Sequence, residues 1–226
     1  MFRPAIKTDL PGILALWGEA FGDSPEAVTD FFEAFPGCIS YVAEEDGVIT
    51  SMVHALSQVL SPDIPAAYIY AVATLRSHRG RGLCRALMAF AEADLASRGF
   101  ACCVLTPGEP GLFDYYEGLG YRIAFTRRRV PFPGGTAISL TEYLHRRESL
   151  LPEPHMVCDR ATLAYAAEVY GLTFYETKTG IAAAAPHYTA ELLPEDTQGN
   201  RFACGMIKWL AEPKELQTAY LGFALE

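Results

Sequence analysis

Residues 77–87 read SHRGRGLCRAL, three arginines and two glycines in eleven positions. A glycine-punctuated turn that opens a helix is suited to holding phosphate. Glycine lets the backbone come close to an anion, and the first amides of a helix point outward without intrahelical partners. The helix dipole adds positive character at the same end. The chemistry to expect is the binding of an anionic small molecule. A plain helix start with solvated arginines is the structural alternative, because short motifs recur by chance.

Two known phosphate loops do not match. No GxxxxGK[ST] string occurs in the chain. A GxGxxG reading is met by Gly80 and Gly82, but Arg85 stands where the third glycine belongs. No acidic residue lies in residues 99–108, where a dinucleotide fold would hold its ribose.

The charge distribution agrees with a local anion site. The net charge is −9 over 226 residues. Residues 72–130 carry nine arginines against five acids, whereas residues 1–71 carry two basic and ten acidic groups. Broad positive surface is what non-specific nucleic-acid binding requires, so nucleic acid is not an expected partner. No apolar run reaches the roughly 20 residues of a membrane helix, and the first residues lack the features of a signal peptide. A cytoplasmic protein with no membrane partner is the expectation. The six cysteines show no CxxC or metal-ligand spacing, so they read as reduced, mostly buried small residues, with no metal.

The elements around the loop follow from periodicity. TDLPGILALWGEAF predicts a helix, capped by Thr8 or Asp9 with Pro11 in its first turn. A second helix is expected over residues 25–35. Asp46-Gly47 predicts a hairpin between two strands, and AAYIYAVAT a further strand leading into the loop. Leu83, Ala86, Leu87, Phe90, Ala91 and Leu95 recur at steps of three and four, a helix that stops at Gly99. GFACCVLTP reads as a buried strand and GLFDYYEGLGY as a short aromatic helix. The fold class is α/β with a mixed sheet and helices on both faces. VPFPGG, residues 130–135, predicts a boundary. It separates a domain over residues 1–129 from a C-terminal α+β lobe over residues 136–226. In that lobe Ser139 and Glu142 form a capping box, Asp159 caps a helix closed by Gly171, and LTFYET pairs with GIAAAAPHY.

VATLRSHRGRGLCRAL resembles the signature loop of the GNAT family of acetyl-coenzyme A-dependent N-acyltransferases, in the positions Arg79, Gly80, Arg81, Gly82, Leu83 and Cys84. Cys84 replaces the usual glycine or alanine. FDYYEGLGYR resembles the family's later motif, in Tyr116, Gly120 and Tyr121, with Glu109 and Leu112 departing from the usual asparagine and alanine. The resemblance spans residues 1–128. It implies a GNAT acyltransferase fold, acetyl-coenzyme A as co-substrate, and transfer of an acetyl group to a primary amine. It also implies that the amides of Arg81 to Arg85 hold the pyrophosphate, and that the backbone of Val72, Ala73 and Thr74 bonds the pantetheine arm. The C-terminal lobe resembles the second, degenerate GNAT-like half of two-part members. It carries no second glycine loop, so one coenzyme site per chain is expected.

Tyr116 is the candidate general acid, since a phenol can protonate a departing thiolate. A core aromatic beside Phe113 and Tyr115 is its structural alternative. No carboxylate stands in AAYIYAVAT to act as base. His54 and ordered water are the two options. Glu19, Asp23, Glu26, Asp30 and Glu33 on the first two helices favour a cationic acceptor, a small molecule or a lysine side chain, with a solvated acidic face as the alternative. A coenzyme A sensor without turnover remains a second function. Acyl chain length and oligomeric state are not determined by these motifs.

Overall fold

The computed structural model describes residues 1–216 and 218–222, and they form two compact units. The first comprises residues 1–57, 65–105 and 209–213. The second comprises residues 58–64, 106–208 and 214 onward.

The first unit holds β1 (Phe2–Pro4), α1 (Leu10–Phe21), α2 (Pro25–Ala34), β2 (Ile39–Glu45), most of β3 (Val48–Leu60) and β4 (Ile64–Thr74), α3 (Leu83–Ser97) and β5 (Cys102–Leu105). The strands lie in the order β1-β2-β3-β4-β5. β1–β2 and β2–β3 are antiparallel and β4–β5 is parallel, which makes the sheet mixed. The β2–β3 hairpin turns where its sequence predicts, with Asp46 at φ 49° and Gly47 at φ 80°. Both central residues have positive φ, which matches the right-handed twist of the flanking strands.

Ser24 caps α2, its hydroxyl accepting the Ala27 amide. α1 is capped differently from expectation. Asp9 makes no side-chain cap bond to it. Its carboxylate instead accepts the Ile6 amide and binds Arg3 through both oxygens, at 2.6 and 2.8 Å. The guanidinium outcompetes the helix amides because a charge-assisted, bidentate bond is stronger. α1 buries Ile13, Leu16 and Trp17, and α2 buries Val28 and Phe31, at the predicted helical spacing. A Cβ on Gly12 would stand 2.7 Å from Ile49, so α1 approaches β3 closely at that glycine. α3 contacts β1 and β2.

The second unit holds α4 (Gly111–Glu117), β6 (Arg122–Arg127), β7 (Thr136–Ala137), α5 (Leu140–Leu150), β8 (Met156–Val157), α6 (Arg160–Tyr170), β9 (Thr173–Glu176), β10 (Ile181–Ala185), β11 (Tyr188–Leu193) and nearly all of β12 (Phe202–Trp209). β11-β10-β9-β7 form a separate four-stranded sheet, and β12 pairs antiparallel with β6. The caps at Ser139 and Asp159 form as the sequence predicts, and Gly171 ends α6 in the left-handed region. The core of this unit gathers Tyr143, Leu163, Ile181, Leu193 and Tyr220. Within it, the fully buried Arg147 grips Glu191 at 2.9 and 3.1 Å, and Tyr143 donates to the same carboxylate at 2.6 Å.

AYLGFALE lies partly outside the described residues, from Phe223 on, which includes the Glu226 carboxylate. Within its described part, Ala219 and Tyr220 form isolated bridges. Ala219 bridges Phe125, and Tyr220 bridges His155, both in parallel sense.

Candidate active site

β4 parts from β5 before it ends. Their parallel register runs from Ala66↔Cys102 to Tyr68↔Val104, yet β4 continues to Thr74. Ala71 interrupts the strand at φ 46°, a conformation that non-glycine residues rarely adopt. Val72, Ala73 and Thr74 follow this kink, and on the β3 side they are held firmly. Ser51 Oγ donates to the Ala73 carbonyl and meets Thr74 Oγ1, both at 2.8 Å, and the Leu75 amide donates to the Thr50 carbonyl at 3.0 Å.

The loop comes next. Arg79 is extended, and Gly80 and Gly82 have φ of 75° and 79°. Glycine is the residue that adopts this conformation without a Cβ penalty. A Cβ built on either glycine would meet no atom within 4 Å, so the backbone there faces open space. Gly82 is the N-cap of α3. It brings no capping side chain, and the first turn holds no acidic residue. The first helical bond runs from the Ala86 amide to the Gly82 carbonyl at 3.0 Å. The first turn of α3 starts at that bond, where a helix has no acceptor one turn back for its leading amides. Cys84, which departs from the usual glycine or alanine, is half-buried.

Arg79, Arg81 and the Arg76 backbone are engaged locally. Arg79 Nε donates to the Thr74 carbonyl at 3.1 Å. Arg81 forms a fork on Glu45 at 3.0 and 3.1 Å, and His78 stands 3.9 Å from the same carboxylate. The Arg76 amide donates to Glu19 at 2.8 Å. Arg81 therefore braces the loop against the β2–β3 hairpin, and the Arg76 backbone ties it to α1.

Tyr116 lies in the second unit, on α4, and is buried. Its carbonyl accepts the amides of Leu119 and Tyr121 at 2.9 and 3.1 Å. Its ring packs edge-on against Tyr115 and Tyr121, at 5.3 and 5.8 Å. Sequence reasoning missed Lys208 of β12. Its ammonium donates to the Leu119 carbonyl at 2.8 Å and lies 5.7 Å from the centre of the Tyr121 ring. No local pattern could reveal a partner 89 positions away.

His54 is fully buried on β3, and burial pushes its imidazole down to about 3. It is neutral at physiological pH and far too weak a base to draw a proton from an ammonium. Of the five acids on the first two helices, Glu19 is engaged by the Arg76 amide and Asp23 accepts from Trp17 Nε1 at 2.8 Å. Glu26, Asp30 and Glu33 are exposed on α2.

A cavity of about 610 Å³ opens at the start of α1, beside Arg3, Thr8, Gly12, Glu44 and Ile49. Its one cationic group, Arg3, is already neutralised by Asp9 and Glu44. It is therefore a poor anion site. Among the described residues no cluster of three His, Cys, Asp or Glu side chains is arranged to hold a metal. The six cysteines are unbridged, three buried and three half-buried. No helix among the described residues is long and apolar enough to cross a membrane.

Comparison with known proteins gives the fold an independent footing. The family described as an acetyltransferase (GNAT) domain matches residues 1–124. A protein of unknown function from Enterococcus faecalis V583, described as a probable N-acyltransferase, superposes with a TM-score of 0.67 at 18% identity, covering 93% of this chain and 72% of that one. A GCN5-related N-acetyltransferase from Kribbella flavida gives 0.66 at 16% identity, with the same two coverages, 93% and 72%. Eis1 from Mycobacterium abscessus gives 0.63 at 15% identity, covering 81% of this chain and 53% of that one. At these identities the solved structures show a shared fold. No curated protein matches the sequence. With the family matched over more than half of its length, the chain belongs to the GNAT family and is an acyltransferase that transfers acetyl groups.

Proposed function

We propose that this chain moves the acetyl group of acetyl-coenzyme A to a primary amine. The observation that carries this reading is the open backbone at Gly80 and Gly82, set at the uncapped start of α3 directly after the kinked end of β4. In this reading the amides of Arg81 to Arg85 hold the pyrophosphate, with Arg79, Gly80, Gly82, Leu83 and Cys84 shaping the turn. The backbone of Val72, Ala73 and Thr74 bonds the pantetheine arm. The amine nitrogen attacks the thioester carbonyl carbon, and a C–N bond forms as the C–S bond breaks. The departing thiolate takes its proton from the Tyr116 phenol, and the amine's surplus proton passes to water. Water is the better-supported base because His54 is buried in its neutral form.

The functional division assigned here is an acetyltransferase domain over residues 1–129 and an accessory lobe over residues 136–226. A screen of thiol release from acetyl-coenzyme A across amine classes tests the activity. Release that depends on an amine supports acetyl transfer. Tight coenzyme binding with no release for any amine makes the chain a coenzyme A sensor instead.

A further inference from the structure

The cavity of about 610 Å³ at the start of α1 is large enough for a small organic molecule, and no residue of the 79–85 loop lines it. Glu44 and Glu45, adjacent on β2, divide the two places. Successive residues of a strand face opposite ways, so Glu44 meets Arg3 and lines the cavity while Glu45 meets Arg81 of the loop. The apolar lining of the cavity is graded. Leu16 and Ile49 are buried, whereas Ile6 and Val48 are 60% and 50% exposed.

The polar side chains of the cavity are unequally satisfied. A guanidinium has five N–H donors, and Arg3 uses all of them. Nε and Nη2 donate to Glu44 Oε2 at 3.2 and 2.7 Å, Nη1 and Nη2 donate to Asp9 at 2.6 and 2.8 Å, and Nη1 also donates to the Pro4 carbonyl at 3.2 Å. An anion entering here would have to displace a carboxylate. Acceptors are left over. Glu44 Oε1 and the Thr8 hydroxyl bond to none of the described residues. The lining side chains set two carboxylates against one guanidinium, an excess of negative charge. Arg3 holds the Asp9 carboxyl below its ordinary value, so it stays ionised at neutral pH. The other cations nearby in sequence are Lys7 and the Met1 amine, which donates to the Glu44 carbonyl. Both are exposed and neither lines the cavity.

We propose that this cavity is a second ligand site, for an organic cation that carries a protonated amine on an apolar chain. The ammonium N–H donates to Glu44 Oε1, and the chain covers the aliphatic side chains of Ile6 and Val48. Two effects favour such a ligand. Its charge offsets the excess negative charge through a charge-assisted hydrogen bond, and its chain removes exposed apolar surface from water. A carboxylate of the same length would meet two like charges, and an alcohol would gain the apolar burial with only a neutral hydrogen bond. The site stands apart from the acetyl-transfer reading, because none of the residues which that reading assigns lines the cavity.

Calorimetric titration of the full chain at neutral pH, with and without saturating coenzyme A, tests this with N,N-dimethylhexylamine, hexan-1-ol and hexanoate. The amine is protonated under these conditions and, being tertiary, cannot end as an amide, so it reports on binding alone. It should bind about tenfold more tightly than hexan-1-ol, the difference between a charge-assisted and a neutral hydrogen bond. Hexanoate should bind most weakly, and coenzyme A should leave the amine's affinity unchanged. Glu44→Gln should bring the amine down to the affinity of the alcohol. Ala15→Trp, at an exposed position lining the cavity, should weaken amine and alcohol alike by about tenfold or more through lost apolar contact, and it decides the matter if Glu44→Gln does not fold. Coenzyme affinity should hold in both variants. Tightest binding by hexanoate, an amine no better than the alcohol, a preference that survives in folded Glu44→Gln, binding untouched by Ala15→Trp, or competition between the amine and coenzyme A overturns the proposal.

Discussion

At the residue scale, two positions separate binding from chemistry. Gly82 has φ 79° and nothing within reach of a Cβ, so a side chain there costs the fold only its left-handed strain, about 1–2 kcal/mol. The same side chain occupies the space in which phosphate approaches. Gly82→Glu should therefore weaken coenzyme A binding by at least about 100-fold through added negative charge at a helix start. Calorimetry with coenzyme A checks the affinity, and a thermal melt checks that the fold persists. Tyr116→Phe keeps both edge-on ring contacts and removes only the hydroxyl. If the phenol is the acid, kcat should fall by roughly 10²–10⁴-fold with coenzyme affinity unchanged. A kcat close to wild type would leave Tyr116 as a packing residue.

At the scale of elements, the turn after α4 is secured by a strand from the far end of the chain. β12 pairs with β6 and carries Lys208 onto the Leu119 carbonyl and the Tyr121 ring. A Cβ on Gly120 would lie 3.5 Å from Lys208 Cε, so the lysine stem follows this turn closely. The Tyr116 carbonyl is bonded to the amides of that same turn. Lys208→Met keeps most of the stem and removes the charge. It should cost about 1 kcal/mol of stability, one hydrogen bond and one cation–π contact. It should also lower kcat by less than Tyr116→Phe does, with the acceptor KM little changed. Lys208→Arg should recover part of the loss, because a guanidinium can reach the same carbonyl. Equal kinetics in all three proteins would confine Lys208 to a structural role.

At the scale of the whole molecule, stability should carry a pH signature from the second unit. Asp196 is 1% exposed, and burial pushes its carboxyl from the ordinary 3.8 up to about 6, against the opposing pull of Arg127. One oxygen accepts from the Leu192 amide at 3.0 Å, Arg127 at 3.1 Å and the Tyr220 hydroxyl at 3.4 Å. The other is buried without a partner, and Glu191 adds a repulsive charge nearby. Between these two pKa values the folded protein holds a proton that the unfolded chain releases. The stabilisation is thus fully present below about pH 4 and lost as pH rises through about 6, a swing of order 3 kcal/mol. Asp196→Asn is neutral throughout and should lack this slope. Urea midpoints measured from pH 4 to 7 check it, and identical slopes in the two proteins would exclude Asp196 as the source.

Much of the fold was legible in the sequence where it depends on neighbours along the chain. Asp46-Gly47 specified a hairpin because both positions tolerate positive φ, and Ser139 and Asp159 specified helix starts because their side chains reach an amide three residues on. The Gly80/Gly82 loop and its helix were legible for the same local reason. What lay beyond reach was decided by contacts distant in sequence. Asp9 reads as a cap for α1 but is taken by Arg3. Arg81 meets Glu45 across 36 positions, Lys208 meets Leu119 across 89, and Arg127 meets Asp196 across 69. The period-two and period-3.6 patterns tell which faces are buried, not which side chains meet there. His54 and the rings of α1, α2 and β4 each read as ordinary core residues. Only the tertiary structure brings them together and leaves one buried nitrogen without a partner, because a side chain's hydrogen bonds and protonation are set by everything that folds around it.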